Sequence, residues 1–375
     1  MNIYKDERVV MTLDAGGTNF VFSAIQSGNE IVEPLIFPSN AHDLDLCLKT
    51  LIKGFTEIKS MLNTEPVAIS FAFPGPADYK EGIIGKLPNL PGFRQGGVAL
   101  GPMLQHHFNL PVFIANDGDL FAYGEAMAGF LPHINECLST AKAPKHYKNL
   151  VGITLGTGFG GGIVINNQLV EGDNSSSGEI WLMRNFRNPH LMAEDNISIR
   201  AIQREYALKS GEKDVILAPR DIFEIAVGIK EGNKEAALHA YEEMAHVIAE
   251  SLSNAITLID GLIVIGGGIS GAYSLLIPKI VELMNDKIYN AEGAAFSRLI
   301  SKVYDLENSE SLNEFLHYKM EELTVPFTNQ TIRYNAEKRI GIGLSRLGTS
   351  NAVAIGAYAL ALTKLSQHEL NPSNV

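Results

Sequence analysis

Hydrophobic and polar positions along the chain predict short strands that alternate with helices. The β-branched run RVVMTLDAGG (residues 8–17) ends in a glycine turn and predicts a strand. TNFVFSAIQSGNEIV (18–32) predicts a second strand with a turn at residues 27–29. PVAISFAFPGP (66–76) predicts a buried strand closed by the turn Pro-Gly-Pro. The chain therefore begins with a strand, a glycine turn and another strand.

Two long segments space their apolar residues as amphipathic helices do. They are DLDLCLKTLIKGFTEIKSML (43–62) and residues 234–260. PVFIANDGDLFAYGEAMAGF (111–130) predicts a strand that runs into a helix, with Asn116 and Asp117 at the junction. This alternation predicts an α/β fold in which helices pack on a mixed sheet. The apolar stripe of the second helix contains Leu238, Tyr241, Ala245, Ile248, Leu252, Ala255 and Ile259.

A glycine-rich stretch, GITLGTGFGGGIVINNQL (152–169), contains the spacing G-x-G-x-x-G of a dinucleotide-binding loop at Gly156, Gly158 and Gly161. Such a loop must lead directly into a helix whose N-terminus receives the pyrophosphate. Here β-branched residues follow, and then the turn formers Asn166 and Asn167. The context predicts a hairpin, and no redox cofactor is needed.

A weak internal repeat relates this hairpin to the start of the chain. TLDAGGT (12–18) and TLGTGFG (154–160) both place a glycine turn between two strands. The repeat predicts two similar domains, each offering a glycine hairpin that presents backbone N–H groups to phosphate. A third glycine run, residues 266–268, lies between a strand and a helix and permits close approach of a flat or anionic ligand. For any one of the three glycine runs, the alternative is a tight turn whose glycines only allow the neighbouring strand and helix to pack together.

Length, charge and cysteine content narrow the class of protein. With 375 residues, two domains are the default expectation. The net charge of −12 argues against nucleic-acid binding, and no apolar run approaches the roughly 20 residues of a membrane span. Cys47 and Cys137 are too few for a disulfide framework or a cysteine metal site. The start, MNIYKDERVV, lacks the apolar core of a signal peptide, so we expect a cytoplasmic protein without nucleic-acid or membrane partners.

Taken in order, these motifs resemble the ROK family (repressors, open reading frames and kinases) of sugar kinases, in the hexokinase and actin superfamily. The resemblance runs from about residue 10 to residue 365 with ordered motifs. The segments that carry it are LDAGGTNF (13–20), ISFAFPGPADYKEGIIGKLPNLPGF (69–93), IANDGDLFAYGE (114–125), GITLGTGFGGGIVINNQLVEG (152–172), LIVIGGGIS (262–270) and GTSNAVAIGAYALAL (348–362).

The resemblance implies an α/β, two-lobed, actin-like ATPase (ribonuclease H-like) fold, in which each lobe is a mixed sheet with flanking helices. Residues 1–117 and a C-terminal helix over about 352–375 would form the smaller lobe, and 118–351 the larger. Insertions at about 135–149 and 285–340 would be surface or subunit-contact elements. The family also suggests a homodimer.

The activity implied by the resemblance is ATP-dependent phosphorylation of a hexose or N-acetylhexosamine at its 6-hydroxyl. Asp117 would be the general base, its alternative role being the N-cap of a helix. Asp14 would hold Mg²⁺ through water, its alternative role being a turn former. The implied sugar-binding residues are Asn89, Asn116, Asp117, Glu179 and Glu194. The implied nucleotide-binding residues are Asp14, Gly16, Gly17, Thr18, Gly156, Thr157, Gly158, Gly266, Gly267 and Gly268.

The sequence departs from the family after Glu179. Leu182 stands where the family has a histidine that binds sugar and zinc, and Trp181 precedes it. RNFRNPHL (184–191) replaces the cysteine cluster of the zinc site, and the lone His190 falls short of the roughly four ligands a structural zinc needs. We therefore predict no bound zinc, and Trp181 as the replacement for the packing role of the metal.

Two further functions remain open at this point. A sugar-responsive repressor of the same family carries a helix-turn-helix ahead of the first glycine loop, and Asp14 leaves little room for one. A non-catalytic sugar-binding relative is opposed by Asp14, Asp117, Glu179 and the three glycine loops. The missing histidine keeps this second alternative open.

Overall fold

The computed structural model describes residues 2–87, 90–212 and 217–370. The chain divides into two compact units. The N-terminal unit contains Met1–Gly129, Gly162–Gly178 and Arg346–Val375, and the C-terminal unit contains Phe130–Gly161 and Glu179–Ser345. The division differs from the expected one, because the N-terminal unit also takes in residues 118–129, 162–178 and 346–351.

The elements up to residue 169 are, in chain order, β1 (Val10–Ala15), β2 (Asn19–Gln26), β3 (Asn29–Glu30), β4 (Leu35–Pro38), α1 (Leu44–Met61), β5 (Ala68–Ala72), β6 (Ala77–Asp78), β7 (Ile83–Ile84), β8 (Val98–Ala99), α2 (Leu100–Phe108), β9 (Val112–Ala115), α3 (Asp117–Met127), α4 (Phe130–Thr140), β10 (Leu150–Leu155), β11 (Phe159–Ile165) and β12 (Gln168–Leu169).

The elements that follow are α5 (Ile199–Ser210), α6 (Pro219–Ala226), α7 (Lys234–Ile259), β13 (Leu262–Gly266), α8 (Tyr273–Met284), β14 (Lys287–Tyr289), β15 (Ala295–Ser297), β16 (Lys302–Asp305), α9 (Ser309–Leu316), β17 (Glu321–Thr324), β18 (Thr331–Tyr334), β19 (Arg339–Leu344) and α10 (Thr349–Leu370). Among the described residues, no helix has both the length and the apolar character of a membrane span.

The sheet of the N-terminal unit is mixed, as the alternation of elements predicts. Its order is β3-β2-β1-β5-β9, and β4 pairs with β2. Strand β1 runs antiparallel to β2 and parallel to β5, which is parallel to β9. Helix α1 begins at its N-cap Asp43 and buries Leu51, Phe55 and Ile58 in the same core as Phe22 and Phe71 of the sheet. The amphipathic pattern of this helix is confirmed.

The second sheet repeats the plan of the first. Its order is β12-β11-β10-β13-β19-β16, with β10, β13, β19 and β16 in parallel. Three residues join β1 to β2, and three join β10 to β11. Strand β11 continues to Ile165 where a dinucleotide loop would begin a helix. The predicted repeat of strand, glycine turn and strand is therefore confirmed, and so is the hairpin.

The long helix α7 forms the centre of the C-terminal core. Its N-cap is Asn233, whose side chain accepts from the N–H of Ala236. Of the predicted stripe, the members Tyr241, Ala245, Ile248, Leu252 and Ala255 are buried. The first and last members differ: Leu238 is exposed and Ile259 is half-buried.

The expectation that residues 285–340 form a surface insertion is wrong in part. Strands β16 and β19 pair within the second sheet, and their residues Val303, Ile340 and Ile342 are buried. Only the hairpins β14/β15 and β17/β18 are exposed along their length. Within residues 135–149, Tyr147 is buried and its hydroxyl donates to the carbonyl of Arg339 at 2.7 Å. A run as short as KVYD, which forms β16, does not show the periodicity from which a strand is predicted.

Helix α3, which begins at Asp117, packs closely against α10 in the N-terminal unit. Glycines make the approach possible. A Cβ at Gly124 would lie 1.9 Å from the carbonyl oxygen of Ala352, and one at Gly356 would lie 2.0 Å from that of Leu120. No side chain fits there without a shift of backbone. The packing of α10 therefore fixes the helix that carries Asp117.

The close approach of α3 and α10 makes Gly124→Ala destabilising. The added methyl group would force the helices apart, and overpacking of this kind costs about 1–3 kcal/mol. Gly271→Ala is the matched control, because its added Cβ meets nothing within 4 Å. Thermal unfolding of the two variants checks this. If Gly124→Ala melts no earlier than Gly271→Ala, the packing described here is wrong.

Candidate active site

The first glycine loop, residues 16–18, follows Asp14 near the end of β1. The buried Ser39 holds it: the Ser39 hydroxyl donates to the carbonyl of Gly17 at 2.7 Å, and the Ser39 N–H donates to that of Thr18 at 2.9 Å. Among the described residues, none accepts from the N–H groups of residues 16–18. Because the carbonyls of Gly17 and Thr18 are hydrogen-bonded to Ser39, the loop is held in a shape that presents its N–H groups, which are donors of the kind that bind phosphate.

Asp117 and Asn116 lie where β9 ends and α3 begins. Asn116 is the N-cap, and its Oδ1 accepts from the N–H of Gly118 at 2.8 Å. Its amide nitrogen lies 3.5 Å from the hydroxyl of Tyr79, which donates to the carbonyl of Phe73. Asp117 is the first helical residue, and its carboxylate accepts from the same N–H at 2.9 Å. The capping role therefore belongs to Asn116, and the alternative given for Asp117 is not realised.

The electrostatic setting of Asp117 differs from that of an ordinary surface carboxylate. Its side chain is open to solvent, but the protein around it removes much of its hydration. This desolvation raises the pKa of Asp117, and the Asp14 carboxylate raises it further by repulsion. The N–H of Gly118 opposes the rise. Two carboxylates, one on β1 and one at the start of α3, thus lie within electrostatic reach, and the pKa of the second is raised.

The second glycine loop, residues 156–158, is held by the segment that contains Glu194. The N–H of Gly156 donates to the carbonyl of Gly158, and the N–H of Ile199 donates to the carbonyl of Gly156 at 2.9 Å. Glu194 Oε2 accepts from the N–H of Phe159 at 3.0 Å. A Cβ at Gly158 would lie 2.5 Å from that oxygen. The predicted sugar residue Glu194 is thus placed against the loop predicted to bind phosphate.

The third glycine run, residues 266–268, ends β13. Gly267 has φ +89°, and a Cβ there would lie 2.3 Å from the carbonyl oxygen of Leu155 at the end of β10. The run therefore lies beside the second glycine loop, at the carboxyl ends of two parallel strands, where α/β proteins bind ligands. A 3₁₀ turn over Gly268–Ala272 separates it from α8, so the predicted helix begins later than expected.

Glu179 and Trp181 interact directly. The indole N–H of Trp181 donates to the Glu179 carboxylate, and the ring packs against the C-terminal core. Leu182, at the position of the family histidine, is exposed. Trp181 therefore adds a polar contact to the packing role predicted for it.

The residues around His190 do not fit a zinc site. His190 is exposed, and the described part of the chain contains no group of three His, Cys, Asp or Glu side chains placed to hold a metal. The loop of residues 184–192 is instead closed around the buried side chain of Asn185. The predicted sugar residue Asn89 lies outside the described residues.

The structure therefore groups the predicted residues by unit. The N-terminal unit brings the first glycine loop together with Asp14, Asn116 and Asp117, and the C-terminal unit brings the other two glycine loops together with Glu194. Sequence reasoning missed Ser39 and Asn185, and neither carries a signal in the hydrophobic pattern.

Comparison with known proteins agrees with these observations. A family model described as the ROK family matches residues 10–310. The crystal structure of a glucokinase from Parabacteroides distasonis is 51% identical, covers 97% of this chain and 99% of its own, and superposes with a TM-score of 0.88. Among curated relatives, the glucokinase of Halalkalibacterium halodurans is 27% identical over 306 residues, which are 74% of this chain and 85% of that protein. The N-acetyl-D-glucosamine kinase of Vibrio atlanticus is 26% identical over 317 residues, covering 76% and 97%.

These comparisons confirm the actin-like ATPase fold that the resemblance implies. The family model spans most of the chain, and it includes all three glycine loops as well as Asp14 and Asp117. The chain belongs to the ROK family.

Proposed function

We propose that this chain is an ATP-dependent kinase that phosphorylates the 6-hydroxyl of a hexose or N-acetylhexosamine, with glucose as the first candidate. The observation that carries the proposal is the Asp117 carboxylate, which is open to substrate, more basic than usual and close to Asp14. The likeness to a glucokinase at 51% identity supports glucose.

The reaction needs a base, positioning and neutralisation of charge. The sugar oxygen forms a bond to the γ-phosphorus while the bond from that phosphorus to the bridging oxygen breaks and leaves ADP. The hydroxyl proton passes to Asp117, whose raised pKa makes it a stronger base than an ordinary aspartate. Asp117 must be deprotonated to act, so activity falls as the pH drops through that pKa.

Asp14 fits the role of holding Mg²⁺ through water. Its carboxylate is exposed and accepts no hydrogen bond from any residue in the described ranges. Mg²⁺ prefers carboxylate and water ligands, and when bound it would neutralise charge on the phosphates. Asp14 and the N–H groups of residues 16–18 lie on one hairpin, so they would act on the same phosphates.

The other glycine loops fit the rest of the nucleotide. Thr157 is exposed at the tip of the second loop and offers a hydroxyl donor. Gly266–Gly268 would receive the adenosine part, because backbone without side chains lets a flat group approach closely. Asn116, Glu179 and Glu194 would bind sugar hydroxyls, together with Asn89.

The free thiols Cys47 and Cys137 suit a cytoplasmic location.

Replacement of Asp117 by Asn tests the base directly. The amide keeps the shape and can accept from Gly118, but it cannot take a proton. General-base loss costs about 10²–10⁴-fold in turnover. A coupled ADP-release assay over a panel of hexoses and N-acetylhexosamines measures this, with Asp45→Asn on the exposed side of α1 as the control.

Each outcome of that assay has a defined meaning. Turnover in the Asp117→Asn variant equal to that of the wild type would disprove the role of Asp117. If no sugar stimulates ADP release by the wild type, the kinase proposal is wrong. Sugar binding in calorimetry without turnover would then favour the non-catalytic relative.

We further propose that a second copy of this chain covers the exposed β17/β18 hairpin. The pairing of Leu323 with Ile332 and of Glu321 with Tyr334 places three apolar side chains on one face, and all three are exposed. Phe327, between the two strands, is fully exposed at 107%. A two-stranded hairpin is at best marginally stable alone, and apolar patches of this kind mark contact surfaces. The homodimer implied by the family supports the assignment.

A charge on this face should separate the subunits. Ile332→Glu places a carboxylate in the centre of the face and is expected to give a monomer in sedimentation or light-scattering measurements, while the wild type is a dimer. Leu258→Glu is the control, because Leu258 is an exposed residue elsewhere in the same unit. A monomeric wild type, or a dimer that Ile332→Glu leaves intact, would refute the assignment.

A further inference from the structure

The loop between the two candidate sugar-binding glutamates is organised by hydrogen bonds. Arg184 and Met192 form an antiparallel bridge that closes it, and the N–H of Asn185 donates to the carbonyl of Leu191 at 3.0 Å. The family resemblance implies a metal-bound region here, yet the only candidate ligand within the loop is the exposed His190. Another interaction must therefore fix its shape.

Asn185 supplies that interaction. Its side chain is completely buried. Oδ1 accepts from the N–H groups of Arg187 at 3.0 Å and Asn188 at 3.2 Å. Nδ2 donates to Oδ1 of Asn196 at 2.8 Å and lies 3.5 Å from the carbonyl oxygen of Met192. Both acceptor positions and both donors of the amide are engaged, so the group is satisfied as a buried amide must be.

Asn196 connects Asn185 to the turn that contains Glu194. Asn196 closes the 3₁₀ turn Ala193–Asp195 through its own N–H, which donates to the carbonyl of Ala193. The N–H of Ala193 donates in turn to the carbonyl of Met183 at 2.7 Å. Glu194 lies within this turn, and its carboxylate accepts from the N–H of Phe159 directly after the second glycine loop. The Asn185 amide is thus joined by one hydrogen bond to the turn that presents Glu194.

We propose that Asn185 is the positioning residue that fixes the loop of residues 184–192 and the Glu194 turn, in place of a metal ion. Because Glu194 accepts from the N–H of Phe159, Asn185 also helps to position the second glycine loop. The expected effects on sugar and ATP kinetics rest on the proposed function, whereas the positioning role of Asn185 does not. Removal of the amide leaves the N–H groups of Arg187 and Asn188 without their acceptor, and a buried donor left unsatisfied carries its full desolvation penalty.

Kinetic measurements on the full chain test the proposal. Asn185→Leu keeps the volume but removes every hydrogen bond of the side chain, and we expect the KM values for sugar and for ATP to rise about tenfold or more, with a smaller change in kcat. Asn185→Asp keeps the acceptors for Arg187 and Asn188, and should recover part of the loss. Asn188→Ala is the matched control, because that side chain is exposed and, among the described residues, its one hydrogen bond is accepted from the N–H of His190 at 3.3 Å.

A second readout needs no activity. Amide hydrogen exchange in the ligand-free protein should show faster exchange over residues 184–198 and at Phe159 in Asn185→Leu, with unchanged exchange in the core of α7. This distinguishes a local role from global unfolding. It also separates the two proposals, because a wild type without kinase activity would refute the function while the exchange data still decide on Asn185.

Three results would overturn the proposal. One is kinetics and exchange of Asn185→Leu that match those of Asn188→Ala. Another is faster exchange throughout the protein in both Asn185→Leu and Asn185→Asp, which would show a general loss of stability. The third is stoichiometric zinc in purified protein together with a chelator effect that reproduces the Asn185→Leu defect. The expected result is a wild-type activity that a zinc-selective chelator leaves unchanged in the presence of excess Mg²⁺.

Discussion

The candidate site depends on a carboxylate, Asp117, that the protein partly desolvates within electrostatic reach of a second one, Asp14, without sealing it from solvent. Like charges at short range repel, and the surrounding protein weakens the solvation that would screen them. The start of α3 offsets part of this cost, because the N–H of Gly118 points at both Asn116 and Asp117 and a helix N-terminus favours negative charge. Helix α10 keeps that start in place through the glycine contacts at Gly124 and Gly356.

The two glycine hairpins have the same backbone plan but are held in place by different residues. In both hairpins the backbone of the glycine loop is fixed by groups that lie outside the loop. In the first hairpin Ser39 binds the carbonyls of Gly17 and Thr18. In the second, Ile199 binds the carbonyl of Gly156 and Glu194 binds the N–H of Phe159. The backbone plan is repeated between the units, whereas the supporting side chains are specific to each.

Hydrophobic pattern and local turn chemistry predicted the strands and helices that carry the three glycine loops and Asp117, and the long helices α1 and α7. The β-branched residues after Gly161 distinguish a hairpin from a dinucleotide loop, and strand β11 bears this out. The periodicity of residues 234–260 predicts α7, and tertiary packing leaves Leu238 exposed near its N-terminal end. Strands β16 and β19 escaped prediction because short runs carry little periodicity. The family resemblance contributed the assignment of Asp14, Asp117 and the glutamates to sugar phosphorylation.

The residues that sequence reasoning missed act through contacts distant along the chain. Ser39 reaches Gly17 across 22 positions, and Asn185 reaches Asn196 across 11. Neither position differs in type from an ordinary loop residue, so only the folded backbone reveals its role. Trp181 was predicted from its size, but its hydrogen bond to Glu179 depends on a ring orientation that no spacing rule gives.

The central claim is that desolvation, together with a smaller contribution from Asp14, raises the pKa of Asp117 and makes it an unusually basic carboxylate. The pKa of the Asp117 carboxyl group measures this directly, by ¹³C NMR titration of selectively labelled protein free of nucleotide and Mg²⁺. The account predicts a pKa above the ordinary value of 3.8 in the wild type and a lower one in Asp14→Asn. A wild-type pKa at or below 3.8, or one that Asp14→Asn leaves unchanged, would contradict it.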